Sequence, residues 1–93
     1  MEKKVEAHVI VTGKVQGVFF RAETQRIAEQ HHVRGWVRNC PNRSVEALFQ
    51  GDGSSVQQVI AWCRKGPARS VVTDVSVTFQ EPEKVFDRFE IRY

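Results

Sequence analysis

Val5-Glu6-Ala7-His8-Val9-Ile10-Val11-Thr12 runs directly into Gly13-Lys14-Val15-Gln16-Gly17-Val18-Phe19-Phe20-Arg21, and the change of period along this stretch decides the fold. In the first eight residues Val5, Ala7, Val9 and Val11 share one face, while Glu6, His8 and Thr12 take the other. Such alternation predicts a half-buried strand. From Phe20 to about His32 the spacing lengthens. Phe20, Thr24, Ile27, Ala28 and His31 recur at intervals of three and four, which predicts a helix, with Gly35 as its stop or as the opening of the next strand. Between the two periods lies a short turn that carries two glycines.

The rest of the chain repeats this pattern. Residues 33–39 predict a second strand with Val33, Gly35, Val37 and Asn39 on one face, and Cys40-Pro41-Asn42-Arg43 reads as a hairpin turn. Residues 44–50 return as a third strand with Val45, Ala47 and Phe49 inward. Gly51-Asp52-Gly53-Ser54-Ser55 reads as a loop that ends in a helix cap. A second helix follows from about Ser55 to Lys65, with Val56, Val59, Ile60 and Cys63 as its apolar face and Gly66-Pro67 as its end. Residues 71–79 alternate with Val71, Thr73, Val75, Val77 and Phe79 on one side, and Glu81-Pro82-Glu83-Lys84 interrupts the pattern. A last strand runs from Phe86 to Tyr93, with Phe89, Ile91 and Tyr93 aligned. The order β-α-β-β-α-β-β leads us to expect an α+β, ferredoxin-like split βαβ sandwich. Its antiparallel sheet would have four to five strands, with two helices on one face. Residues 1–93 are expected to form a single domain.

Composition narrows the function classes. No apolar run approaches the roughly 20 residues needed to span a bilayer, and the Met-Glu-Lys-Lys start lacks the apolar core of an export signal. Cytoplasm is the default compartment, and a monomer is the default for a chain of this size with no apolar outer stripe. Cys40, Cys63 and the three histidines His8, His31 and His32 do not have metal-site spacing, so neither metal nor cofactor is expected. Both cysteines read as free thiols. The net charge of +3 and pI near 9.2 permit a nucleic acid, but the 14 basic residues are scattered, adjacent only at Lys3-Lys4 and Arg64-Lys65. The outward positions of the first and third strands carry His8, Ile10, Glu46 and Leu48 rather than aromatics, so an RNA-binding sheet face is not expected, with Trp36 as the outward aromatic to watch. A modest positive field also suits a small anionic substrate.

The glycine turn has the chemistry of an anion site. Glycines free the backbone and let a ligand come close. Loop amides and a helix N-terminus favour negative charge, and the guanidinium of Arg21 offers paired donors to phosphate or carboxylate. The spacing fits neither a nucleotide P-loop nor a dinucleotide fingerprint. A tight strand-to-helix turn also needs glycines, so both readings stand at this point. Asn39 is similarly double. Its amide can orient a water for attack, or it can merely start the hairpin.

Gly13-Lys14-Val15-Gln16-Gly17-Val18-Phe19-Phe20-Arg21 closely resembles the first signature of the acylphosphatases, and Gly35-Trp36-Val37-Arg38-Asn39, followed by Val45 and Gly51, resembles their second. The resemblance covers essentially the whole chain. It implies hydrolysis of the carboxyl–phosphate bond of a small acyl phosphate, without a metal, to a carboxylate and inorganic phosphate. By the same resemblance Arg21 and Asn39 are the catalytic residues, Arg21 gripping phosphate and Asn39 positioning water. Backbone amides around Val15, Gln16, Gly17 and Val18 form the substrate cradle. A small solvent-facing cradle is expected to read the phosphate and little of the acyl group. The chain departs from the family at Arg43, where a glycine is usual, and Asn42 is the neighbour expected to take the awkward backbone angle. A phosphate-binding domain of a larger assembly is the rival reading.

Overall fold

The computed structural model describes residues 3–93. Its elements are β1 (Lys4–Lys14), α1 (Phe20–Gln30), β2 (Arg34–Asn39), β3 (Val45–Asp52), α2 (Gly53–Lys65), β4 (Val71–Gln80) and β5 (Phe89–Arg92). The five strands form one sheet in the order β4-β1-β3-β2-β5. β4, β1, β3 and β2 pair antiparallel, as the sequence predicts. β5 joins parallel to β2, so the sheet is mixed. This is the expected ferredoxin-like α+β arrangement. α1 packs on β2 and β5, and α2 on β1, β3 and β4.

The core lies between the helices and the sheet. It takes Ala7, Val9 and Val11 from β1, Val37 from β2, and Val45, Ala47 and Phe49 from β3, all buried. These are the residues that alternation placed inward, because a period of two sends every second side chain to one face. Helical spacing works equally well for α2, whose Val56, Val59, Ile60 and Cys63 are buried. Phe20 of α1 meets Trp62 of α2 with ring centroids 5.4 Å apart, a tilted contact that ties the helix layer together.

α1 ends at Gln30 and closes at His31–His32, close to where the spacing predicts. His32 takes a left-handed φ of 58°, its amide donates to the Glu29 carbonyl, and the Val33 amide donates to that of Ala28. That is a Schellman closure with His in the usual glycine place. Gly35 lies within β2. α2 begins at Gly53, two residues early, and its Asp52 N-cap makes no side-chain cap bond; instead Asp52 pairs with Lys4 at 3.0 Å. In β4 the register shifts opposite Thr12/Gly13. Val72 therefore packs against the core, while Val71 and Thr73 are exposed. A bulge inverts the facing of everything beyond it.

The turn after β2 corrects another expectation. Arg43, not Asn42, takes the left-handed angle, with φ 73°. The Asn42 side chain instead accepts hydrogen bonds from the amide and hydroxyl of Ser44. Arg43 is exposed, and its side chain makes no hydrogen bond or ion pair with a described residue. The strained backbone therefore has no visible compensation there. Arg43→Gly is expected to raise stability by about 1 kcal/mol, net of the extra entropy glycine brings to the unfolded chain. In a thermal melt that is about 4–8 °C for a domain of this size. A lower melting temperature would show that the arginine stem contributes packing at the turn.

Candidate active site

Three segments meet at one end of the sheet. Val11, Val45 and Asn39 lie in one row across β1, β3 and β2, since Val11 pairs with Val45 and Asn39 pairs with Val45 on the other side. Asn39 has the strand parity of buried Gly35 and Val37, which turns its side chain towards the helix layer. Two residues past Val11 the chain enters the glycine turn, which delivers α1 with Arg21 in its first turn. A cleft of about 280 Å³ opens where they meet, lined by Val15, Gly17, Phe19, Arg21, Asn39 and Tyr93 among others.

The donors facing this cleft are uncommitted. No backbone amide from Val15 to Phe19 donates to a described backbone carbonyl. Arg21 makes no hydrogen bond or ion pair with any described residue, and neither does the Asn39 side chain. Glu23, the acidic residue of the same helical turn, is engaged by Arg26 at 2.8 Å. Its carboxyl is held below the usual range, chiefly by that hydrogen bond. The contact Arg21 does make is with the Tyr93 ring, whose centroid lies 4.9 Å from the guanidinium carbon. The first amides of a helix also lack intrahelical partners and carry partial positive charge. Donors left open in one concave place suit a multi-oxygen anion.

Gly17 fits the turn for a local reason. Its φ of 74° is left-handed, and a Cβ built there would meet nothing within 4 Å, so that side of the turn lies open to close approach. Gln16 and Val18 take other directions. The Gln16 side-chain amide donates to the carbonyls of Cys40 and Ser44, both at 2.9 Å, which ties the turn to the hairpin just after Asn39. The Val18 side chain is buried in the core. Each therefore has only its main-chain amide to offer an anion. The sequence reading missed Phe19, Ile91 and Tyr93 as lining residues. The alignment of Ile91 and Tyr93 was visible, but not the docking of β5 beside β2.

The opposite sheet face is differently occupied. Glu46 accepts hydrogen bonds from His8 and Arg38. Burial is the largest single influence on its carboxyl and raises it, but the two partners together outweigh burial and hold it low. The Arg92 guanidinium covers Trp36, 4.8 Å from the ring centroid. The β4–β5 connection crosses this face and is held by Gln50, which donates to the Lys84 carbonyl and accepts from the Phe86 amide. Burial pushes the Cys63 thiol up to about 12, so it stays protonated and poorly nucleophilic near neutrality. Among the described residues no helix is long and apolar enough to cross a membrane.

Fold and site together define a small α+β sandwich with a cleft at the end of its sheet, lined by Gly17, Arg21 and Asn39 among others. Comparison with known proteins makes the class specific. The acylphosphatase family model matches residues 7–91. The chain is 50% identical over 93 residues to an acylphosphatase of Syntrophus aciditrophicus, covering 100% of this chain and 95% of that one. The crystal structure of acylphosphatase from Bacillus subtilis superposes with a TM-score of 0.93 at 36% identity, covering 96% of this chain and 99% of that one. Full-length HypF contains the same fold at a TM-score of 0.87, but at 21% identity and over 12% of its length, a likeness of fold alone. The chain belongs to the acylphosphatase family, enzymes that hydrolyse acyl phosphates.

Proposed function

We propose that this enzyme binds the phosphoryl group of a small acyl phosphate in the cleft and hydrolyses it to a carboxylate and inorganic phosphate. The loop amides from Val15 to Val18 and the fork of Arg21 hold the phosphoryl oxygens, and Asn39 aligns a water behind phosphorus. The water oxygen attacks phosphorus while the bond to the acyl oxygen breaks, and the acyl group leaves as carboxylate. The proton from the water passes to a phosphoryl oxygen. The observation that carries this reading is the set of uncommitted donors, Arg21 and the loop amides, in one cleft with the uncommitted amide of Asn39.

The leaving group is already a good one, so positioning and charge stabilisation suffice for a useful rate. Among the described residues, no Asp, Glu or His lines the cleft. His8 is bound to Glu46 on the other face, and His31 and His32 close α1 about 16 Å from its start. The same reading takes residues 1–93 as one domain, a cytoplasmic monomer that needs neither metal nor cofactor and has no nucleic-acid partner.

The test is hydrolysis of acetyl phosphate and benzoyl phosphate by the purified protein in excess chelator. Sustained turnover is expected, with inorganic phosphate as a competitive inhibitor. The pH–rate profile should lack a histidine limb near about pH 6.5. A folded protein that hydrolyses neither substrate, or does so only after divalent metal is restored, overturns the reading.

A further inference from the structure

The cleft that holds Arg21 and Asn39 is also lined by the apolar side chains of Phe19 and Ile91 and by the ring of Tyr93. Phe19 is 77% exposed and Tyr93 wholly exposed, an unusual display for large rings on so small a domain. Two features single out Phe19. Its φ of 63° places a bulky side chain in the left-handed region, a genuine outlier. Its neighbours Val18 and Phe20 are both buried in the core, so the chain turns two apolar side chains inward and sends the ring between them out to solvent. Packing gains nothing from that arrangement. Tyr93 in turn lies against the Arg21 guanidinium, which joins the apolar lining to the arginine.

We propose that Phe19 and Tyr93 form a subsite for the acyl group, and that the enzyme favours acyl phosphates whose acyl portion is aromatic. This rests on the reading of the cleft as the acyl phosphate site. With the phosphoryl oxygens held by Arg21 and the loop amides, the acyl group must point out of the cleft, and the first surfaces it meets are the two rings. An aromatic acyl group there removes apolar area from water on both partners and can stack or pack edge-on. An acetyl group is too short to do so. A solvent-facing cradle by itself would read only phosphate, and the rings add selection among acyl groups.

The experiment compares kcat/KM for benzoyl and acetyl phosphate in the wild type, Phe19→Asn and Phe19→Tyr. Comparing the ratio between proteins cancels the different intrinsic reactivity of the two substrates. Asn accepts a left-handed backbone better than Phe, so the fold is not at risk. The benzoyl-to-acetyl ratio is expected to fall about tenfold in Phe19→Asn, mainly through KM, and to stay within about twofold of wild type in Phe19→Tyr. An equal fall on both substrates would mean that the ring only shapes the loop, and an unchanged ratio would mean that it touches no acyl group; either overturns the subsite. Wild-type turnover of acetyl phosphate separates this from the function itself. If the wild type hydrolyses neither substrate, the reading of the cleft fails and the subsite fails with it.

Discussion

Arg21→Gln is expected to lower kcat/KM for an acyl phosphate by about 10³-fold or more while leaving the melting temperature nearly unchanged. The loss follows from what the guanidinium offers: a fixed positive charge and a planar fork of donors, in a cleft also lined by Val15 and Gly17 of the turn. Removing one preorganised donor to a developing oxyanion costs about 10²–10³ in rate, and here a full charge goes with it. The unchanged stability follows from what the side chain does not do. It makes no hydrogen bond or ion pair with a described residue, and its contact with the wholly exposed Tyr93 ring contributes about 0.5 kcal/mol. Inhibition by inorganic phosphate should weaken in step with activity, because substrate and product share the charge. Arg21→Lys should recover only a small part, since an ammonium cannot form the paired bonds of the fork. Near-wild-type turnover in Arg21→Gln would remove Arg21 from the phosphate grip and leave the loop amides to carry it alone.

How much of this was legible in the sequence depended on how far apart the cooperating residues lie. β1, β3 and α2 were readable because their core-facing residues keep one local period, as with Ala7, Val9 and Val11 or Val56, Val59 and Ile60, although Glu6, Leu48 and Gln50 are buried on the other sheet face as well. β4 was half readable. Its bulge turns Val72 inward in place of Val71, and nothing in a pattern of alternating valines marks where one residue will be left over. The last strand was too long in the sequence reading because Phe86 supplies a crossing connection, held by Gln50, rather than a ladder. β5 then pairs parallel with β2, a contact across some fifty residues.

The same distinction holds at the site. Arg21 and Asn39 were found as residue types in recognisable surroundings, and both face the cleft. Gln16 was assigned to the substrate cradle through its backbone amide, as the family resemblance implies, with no role given to its side chain. That side chain is committed to Cys40 and Ser44, a structural role that needs the hairpin in space to be seen. Tyr93 escaped notice because its neighbour Arg21 is far away in the chain. Arg43 shows the limit of residue preference. Asn42 was the better candidate for a left-handed angle, but its side chain is held by Ser44 and the angle falls one residue later.

Asn39→Ala should give a different signature from Arg21→Gln, and the difference is what assigns the two roles. Turnover is expected to fall about 10²-fold or more, as expected when a nucleophile loses its alignment, while the inhibition constant of inorganic phosphate stays within about twofold. Asn39 contributes no charge to the cradle, and its amide is uncommitted in the free protein, so deleting it should take little from ground-state binding of the anion. Stability should change by less than about 0.5 kcal/mol, because no buried partner is left unsatisfied. The hairpin beyond Asn39 is held independently by the Cys40–Ser44 backbone bond and by Gln16, so the variant tests the amide and not the turn. If phosphate binding disappeared together with turnover in a protein of normal stability, Asn39 would belong to the phosphate grip, and the water would have to be aligned by the loop itself. If turnover survived, the attacking water would need no side chain at all, and rate would come from the charge of Arg21 and the amides alone.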